Sequence, residues 1–354
     1  MINVLVVGAG AIGCLVGGQL ATTGCQVTLL GRARLAQAIE TGGLHLQWPD
    51  GERQTVHPHT VENLADLADL AAFELVLVTV KSFDTNTAVR PLAGRLSSMA
   101  RVLSLQNGVG NEEQIARLLP GQPILAGSIT LPVMAPQVGT IVVSRNKGGI
   151  GLASMTTGAV VGDIAQHLQQ AGFTVTTCND YRSLKWSKLM MNITGNASSA
   201  ILDMPPGQSL AHRRVFDLEL DALRETVKVM AALDINVIAL PGYPMPWLAQ
   251  ALRLFPNALL RRVLKRAMVG GRGDKLPSLQ LDLRKGRNRS EVRVLNEVVA
   301  LEGQKLGLSV PVNRGLSDIL NGIVSGRLNW DDYRGKPDFL WAQIQEMQGG
   351  AVTT

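Results

Sequence analysis

The 354-residue chain predicts an α/β protein in two parts, a doubly wound parallel sheet at the N-terminus followed by an all-α domain. Three observations carry this expectation. A continuous apolar, β-rich run at 2–7 leads into Gly8-Ala9-Gly10-Ala11-Ile12-Gly13 and then into a helical pattern at 11–23. Similar short apolar runs recur at 26–30, 74–80 and 101–105, as strands buried on both faces require. From Tyr181 onward, apolar residues fall mostly at helical spacing and strand-like runs nearly vanish. The length exceeds what one hydrophobic core usually organises, so two domains are expected, 1–178 and 179–354, with the boundary near Asn179.

The elements follow in order. Gly24 ends the first helix, and Gln26 to Leu30 forms the second strand of a βαβ unit. Pro49-Asp50-Gly51 is a turn signal between two short strands within 44–57. The strand at 101–105 runs into the loop Asn107-Gly108-Val109-Gly110 and then a helix to about Leu119. Residues 122–152 predict several strands, some antiparallel, and a helix near 159–171 with a strand near 173–177 completes the first domain. Pro and Gly cluster at 205–207, 241–246 and 270–277, marking loops between the later helices.

The glycine motif gains meaning from its context, since it follows a buried strand and opens a helix. Gly8 permits the tight turn, Gly10 lets a pyrophosphate approach the backbone, and Gly13 allows close packing of helix on strand. The N–H groups at the helix start, of Ala9, Ala11, Ile12 and their neighbours, then face the phosphates. This is a Rossmann dinucleotide-binding unit. NAD-binding units usually carry Asp or Glu at the end of the second strand, to hold the ribose hydroxyls. Here that position reads Leu30-Gly31-Arg32-Ala33-Arg34, with no acid and two arginines. A guanidinium binds a 2′-phosphate as a fork, so NADP(H) is the expected cofactor, with Arg32 the better-placed ligand; ordinary surface arginines are the plainer alternative.

Lys81 and Asn107 follow strands ending at Val80 and Leu105, at the strand C-termini where open α/β sheets bind ligands. Either residue could instead cap a loop. The segment Leu184 to Ser199 predicts one helix that is apolar almost all round, interrupted by Lys188, Asn192, Asn196 and Ser199 at spacings of four, four and three. A buried polar stripe must find partners. It reads either as a hydrogen-bonded seam between helices or as a cleft wall with Lys188 facing substrate.

Composition narrows the rest. Charged residues are 18% and hydrophobic residues 46% of the chain, and no apolar run reaches a membrane span. The apolar start lacks the basic region of a signal peptide, and three cysteines without metal-ligand spacing agree with a reducing compartment, so a cytoplasmic chain with no metal is expected. The net charge of +6 raises nucleic acid as a partner, but six Phe and three Tyr give a poor stacking platform. Anionic small ligands and a basic surface account for the charge. Arg261, Arg262, Lys265 and Arg266 interrupt an apolar stretch at 259–268 as on a surface amphipathic helix, expected to act as a lid or a homodimer contact rather than a membrane anchor.

The ordered set of landmarks resembles the ketopantoate reductase (2-dehydropantoate 2-reductase) family over nearly the whole chain. The landmarks are the glycine turn, Val78-Thr79-Val80-Lys81, Gln106-Asn107-Gly108-Val109-Gly110, Trp186-Ser187-Lys188-Leu189 with Asn192 and Asn196, and Pro277-Ser278-Leu279-Gln280-Leu281-Asp282-Leu283 followed by Ser290-Glu291-Val292. The resemblance implies a Rossmann domain joined to a phosphogluconate-dehydrogenase-like helical domain. It also implies NADPH-dependent reduction of ketopantoate to pantoate, a step of pantothenate biosynthesis. By position, Lys188 resembles the general acid, Glu291 the carboxylate that binds substrate and orients the lysine, and Asn107 the catalytic-site residue near the nicotinamide and the catalytic lysine. Asn192, Asn196 and Ser278 resemble substrate contacts, and Arg32 the 2′-phosphate ligand. The stretch from Asp282 to Glu291 is one residue longer than the family spacing, and Arg293 and Glu297 depart from its pattern. A reductase or opine-type dehydrogenase for another 2-keto acid, and a non-catalytic NADP(H) sensor, are the alternatives. Without the resemblance, Glu291 reads as a helix-start acid favoured by the helix dipole.

Overall fold

The computed structural model describes residues 2–156, 160–272 and 276–349. The chain divides into two compact units, one of Met1–Lys185 with Ala239–Tyr243, the other of Trp186–Ile238 with Pro244–Thr354.

The first unit opens with β1 (Asn3–Val7), α1 (Ala11–Thr22) and β2 (Gln26–Leu30). α2 (Ala33–Gly42), β3 (Leu44–Gln47), β4 (Arg53–Val56), β5 (His59–Val61) and β6 (Leu75–Val78) follow. Then come α3 (Thr85–Val89), β7 (Arg101–Ser104), α4 (Asn111–Leu118), β8 (Ile124–Ile129), β9 (Val133–Gln137), β10 (Thr140–Val143), β11 (Ile150–Ser154), α5 (Gly162–Gln170) and β12 (Val175–Cys178). Eight strands form one sheet in the order β12-β11-β8-β7-β6-β1-β2-β5. The run from β5 to β8 is parallel, and β11 joins antiparallel to β8. Strand order reverses between β1 and β6, so the ligand crevice of a doubly wound sheet falls at their C-terminal ends.

β1 shows why its sequence is apolar throughout. Val4 and Val6 pack into the core beneath α1 and α5, whereas Leu5 and Val7 pack into the core with Val89 and Ile115 on the other face. A period of two with both faces buried leaves no place for a polar residue. The expected short strands within 44–57 are β3 and β4, but they do not extend the main sheet. They pair with β9 and β10 in a separate four-stranded sheet ordered β4-β3-β10-β9. Leu44, Leu46, Ile141 and Val143 bury one face of it against the first core.

After β12 the described residues form helices and turns, apart from one bridge between Leu240 and Tyr243. α6 (Tyr181–Ile193), α7 (Ala197–Leu202) and α8 (Pro206–Ser209) lead to the long α9 (Arg213–Ala232). α10 (Met245–Leu254), α11 (Asn257–Arg272), α12 (Ser278–Arg284), α13 (Asn296–Lys305), α14 (Pro311–Val324) and α15 (Pro337–Gly349) complete the second unit. α9 is its centre, burying Val215, Phe216, Leu218, Leu220, Leu223 and Met230 among α10, α13, α14 and α15. No helix among the described residues is long and apolar enough to cross a membrane.

The single helix expected from Leu184 to Ser199 is two helices. α6 stops at Ile193, a turn spans 194–196, and α7 starts at Ala197. Gly195 takes φ 59° there, a left-handed value that breaks the helix at low cost only for glycine. Buried Glu219 of α9 fixes the break: its Oε2 accepts the Gly195 N–H at 2.7 Å and its Oε1 accepts the Ser198 hydroxyl at 2.5 Å. The expected polar stripe therefore does not lie on one helix face. Lys188 and Asn192 share a face of α6, Asn196 is the N-cap of α7, and Ser199 is buried with its Oγ 2.9 Å from Ser209 Oγ.

Candidate active site

The glycine turn lies directly after β1, at the strand-order reversal. Gly8 has φ 105°, and a Cβ built on it would lie 2.7 Å from the Val80 nitrogen. A Cβ on Gly13 would lie 2.5 Å from Gly8 O and 2.6 Å from Thr79 Oγ1. Gly10 is different: a Cβ there would meet nothing within 4 Å, and the residue is exposed. Two glycines are thus demanded by the protein's own packing, whereas Gly10 leaves open space beside the N-terminus of α1. That helix start has no side-chain cap and no acid in its first turn, so its N–H groups suit a phosphate. Thr79 locks the turn from β6, donating to Gly8 O at 2.6 Å.

The neighbouring strand ends carry the other expected residues of this half. Arg32 is exposed at the N-cap of α2, one residue beyond Gly31, and a Cβ on Gly31 would lie 3.1 Å from Ala9 Cβ. The end of β2 therefore packs against the glycine turn, and Arg32 and Arg34 are exposed beside it. Lys81 follows β6 and Asn107 follows β7, both at C-terminal ends. Asn107 is exposed, and Gly108 and Gly110 after it adopt φ of 90° and 97°. The residues present fit a dinucleotide: a phosphate cradle at α1, cations beyond β2, and polar groups after β6 and β7.

The second unit gathers a different chemistry. Lys188 is 9% exposed and Asn192 half-buried, one helical turn apart on α6. Asn196 is buried, and its Oδ1 accepts the Leu279 N–H at 3.4 Å, which brings the 194–196 turn to the start of α12 beside Ser278. Glu291 is 3% exposed and opens a 3-10 turn, Glu291–Val294, whose N-cap Ser290 accepts the Val292 N–H. Arg293 and Glu297 pair with each other at 3.9 Å, and Glu297 also accepts from Asn321 at 2.9 Å.

Several polar groups that shape these halves escaped the sequence reading. Lys185 is 3% exposed, with Nζ 2.8 Å from Glu112 Oε1. Buried Gln106 donates to Val80 O at 2.9 Å and to Thr85 Oγ1 at 2.8 Å. Glu219 is 1% exposed. Lys185 stands three residues before Lys188 in the same apolar stretch, and that spacing was the available signal. Glu112 and Glu219 gave none, since an acid at a helix start or in a long helix is ordinary. Part of the basic character is offset: Arg284 and Arg334 both bind Asp203, at 2.7 and 2.8 Å, and Arg287 pairs with Asp282 at 3.0 Å. Arg261 pairs with Asp217 at 2.6 Å. The side chains of Lys265, Arg266 and Arg272, and residue Lys275, lie outside the described residues. Among the described residues no group of His, Cys, Asp and Glu could hold a metal ion.

Fold and turn together define a dinucleotide-binding protein made of a Rossmann unit and a helical unit. The chain belongs to the ketopantoate reductase PanE/ApbA family: the model of that family matches residues 4–157, and the model of its C-terminal part matches 180–324. Among curated relatives, the 2-dehydropantoate 2-reductase of Halobacterium salinarum is 29% identical over 331 residues, covering 90% of this chain and 97% of its own. That of Pyrococcus horikoshii is 31% identical over 252 residues, covering 71% and 79%. Among solved structures, a PanE/ApbA family ketopantoate reductase from Ralstonia eutropha JMP134 has a TM-score of 0.75 and 29% identity, covering 92% of this chain and 99% of that one. A D-mandelate dehydrogenase bound to NADH and anilino(oxo)acetate has the same TM-score, 0.75, at 20% identity, a likeness of fold. Family membership and the glycine turn make the cofactor a nicotinamide dinucleotide.

Proposed function

We propose that the chain reduces a 2-keto acid with NADPH, and that this substrate is 2-dehydropantoate, converted to pantoate. The observation that carries the reading is Lys188, a lysine 9% exposed on a helix that offers Asn192 one turn further on. Withdrawn from bulk water, its charge would act strongly on a nearby substrate oxygen. The names of the curated relatives support the same substrate.

When bound, NADPH supplies the hydride that reduces the ketone carbon. Lys188 meets the negative charge that develops on the ketone oxygen and gives that oxygen its proton. Glu291 binds substrate and orients the lysine. Asn192, Asn196 and Ser278 hold the polar groups of the substrate, and Asn107 and Lys81 serve the cofactor side. Arg32 takes the 2′-phosphate in a fork.

The test of this chemistry is Lys188→Ala. Its kcat should fall by ~10²–10⁴-fold, the usual contribution of a positioned proton donor, while the Kd for NADPH, read by cofactor fluorescence, stays within about twofold. Turnover at the wild-type rate removes Lys188 from the mechanism.

A further inference from the structure

The loop after β7 carries Asn107 directly before two left-handed glycines, Gly108 and Gly110. Such a turn has little side-chain bulk to hold it and much backbone freedom to lose. Three side chains nonetheless pin its start. Asn111 Nδ2 donates to Asn107 O at 2.9 Å, and Gln106 Nε2 reaches Val80 O in the neighbouring loop at 2.9 Å. The third pin is the unusual one. Lys185 Nζ donates to Gln106 O at 2.6 Å and to Gly127 O on β8 at 3.3 Å.

A buried ammonium costs far more than a neutral donor unless a counter-charge accompanies it. Glu112 supplies that charge from 2.8 Å, at 0% exposure, in the first turn of α4, where the helix dipole also favours a carboxylate. With one side of the ammonium against Glu112, its remaining donors reach the two carbonyls. The pair is therefore arranged to bring a positive charge to the Gln106 carbonyl, with Glu112 making that charge tolerable. An apolar pair of equal volume would fill this core equally well, but would leave the carbonyl before Asn107 without its charge-assisted bond.

We propose that Lys185 and Glu112 are positioning residues, a buried ion pair that fixes the Gln106–Gly110 turn and thereby the placement of Asn107. The consequence for turnover rests on the proposed role of Asn107 beside the cofactor; the consequence for the turn does not.

The decisive variant is the double substitution Lys185→Met with Glu112→Gln in the full chain, because Lys185→Met alone strands a buried carboxylate. Hydrogen exchange of the ligand-free protein reads the turn directly. Exchange across 105–111 should rise ~10-fold while that across 4–20 is unchanged, the mark of a local opening. In steady state kcat should fall ~10-fold with the KM for NADPH within about twofold, the cost of misplacing one group near the reacting atoms. Unchanged exchange at 105–111, an equal rise in both segments, or a double variant that does not fold would each overturn the proposal, placing the pair in the general core. If wild type shows no keto-acid-dependent oxidation of NADPH, the functional reading fails, and the exchange result alone still decides the role of the pair.

Discussion

Two glycines three residues apart, Gly10 and Gly13, separate binding from folding. Gly13→Ala drives a Cβ to 2.5 Å from Gly8 O, a backbone atom that cannot move aside without opening the turn. That substitution should cost about 1–3 kcal/mol of stability, measured by urea unfolding, as overpacking of a tight site does. Gly10→Ala meets open space and a φ of −87°, so it should cost only the N-cap difference between Gly and Ala, about 1 kcal/mol or less, whereas NADPH titration should show binding largely lost. Equal effects of both on stability would remove the phosphate from the argument. Arg32→Ala should weaken NADPH by about 1.5–3 kcal/mol, the range of bonds to charged groups, and leave NADH nearly untouched; calorimetric titration of the two cofactors checks it, and equal weakening contradicts the 2′-phosphate contact.

Elements show where reading from sequence succeeds. The β1-turn-α1-β2 unit was legible because a glycine pattern, a buried strand and a helical period agree over one short stretch. The break between α6 and α7 was not, because Gly195 depends on Glu219, 24 residues further on, for its partner. The pairing of β3 with β10 was hidden for the same reason, since a short strand's partner is set by tertiary packing. Lys188 and Asn192 stood out as polar residues in an apolar run, whereas Glu112 resembled any acid at a helix start. Buried Glu225 tests a second carboxylate of α9. Burial pushes its pKa up to about 7, against N–H donation from Asn313 and Val312 at the start of α14 and from the Asn313 amide. A carboxyl raised in the folded state stabilises below its ordinary value of 4.5, and that contribution is lost as pH rises through about 7. Unfolding free energy should therefore decline between these pH values by up to about 3 kcal/mol, and Glu225→Gln should lack this segment of the profile. A wild-type curve flat from pH 4.5 to 7 would refute the shift.

At the scale of the whole molecule, each unit has its own core and its own share of the chemistry. In the proposed reading, the phosphate cradle, Arg32, Lys81 and Asn107 belong to the first and Lys188, Asn192, Asn196, Ser278 and Glu291 to the second. Arg293 and Glu297 pair with each other at 3.9 Å and so partly offset each other's charge. The central claim is that these two sets serve one reaction, NADPH-dependent reduction of 2-dehydropantoate. Steady-state oxidation of NADPH, followed with 2-dehydropantoate and a panel of other 2-keto acids, tests it most directly. The account predicts oxidation that depends on 2-dehydropantoate, with kcat/KM at least ~10-fold above the other keto acids and above the same reaction with NADH. Tight NADPH binding with no oxidation on addition of any keto acid, or a clear preference for a different one, would contradict it.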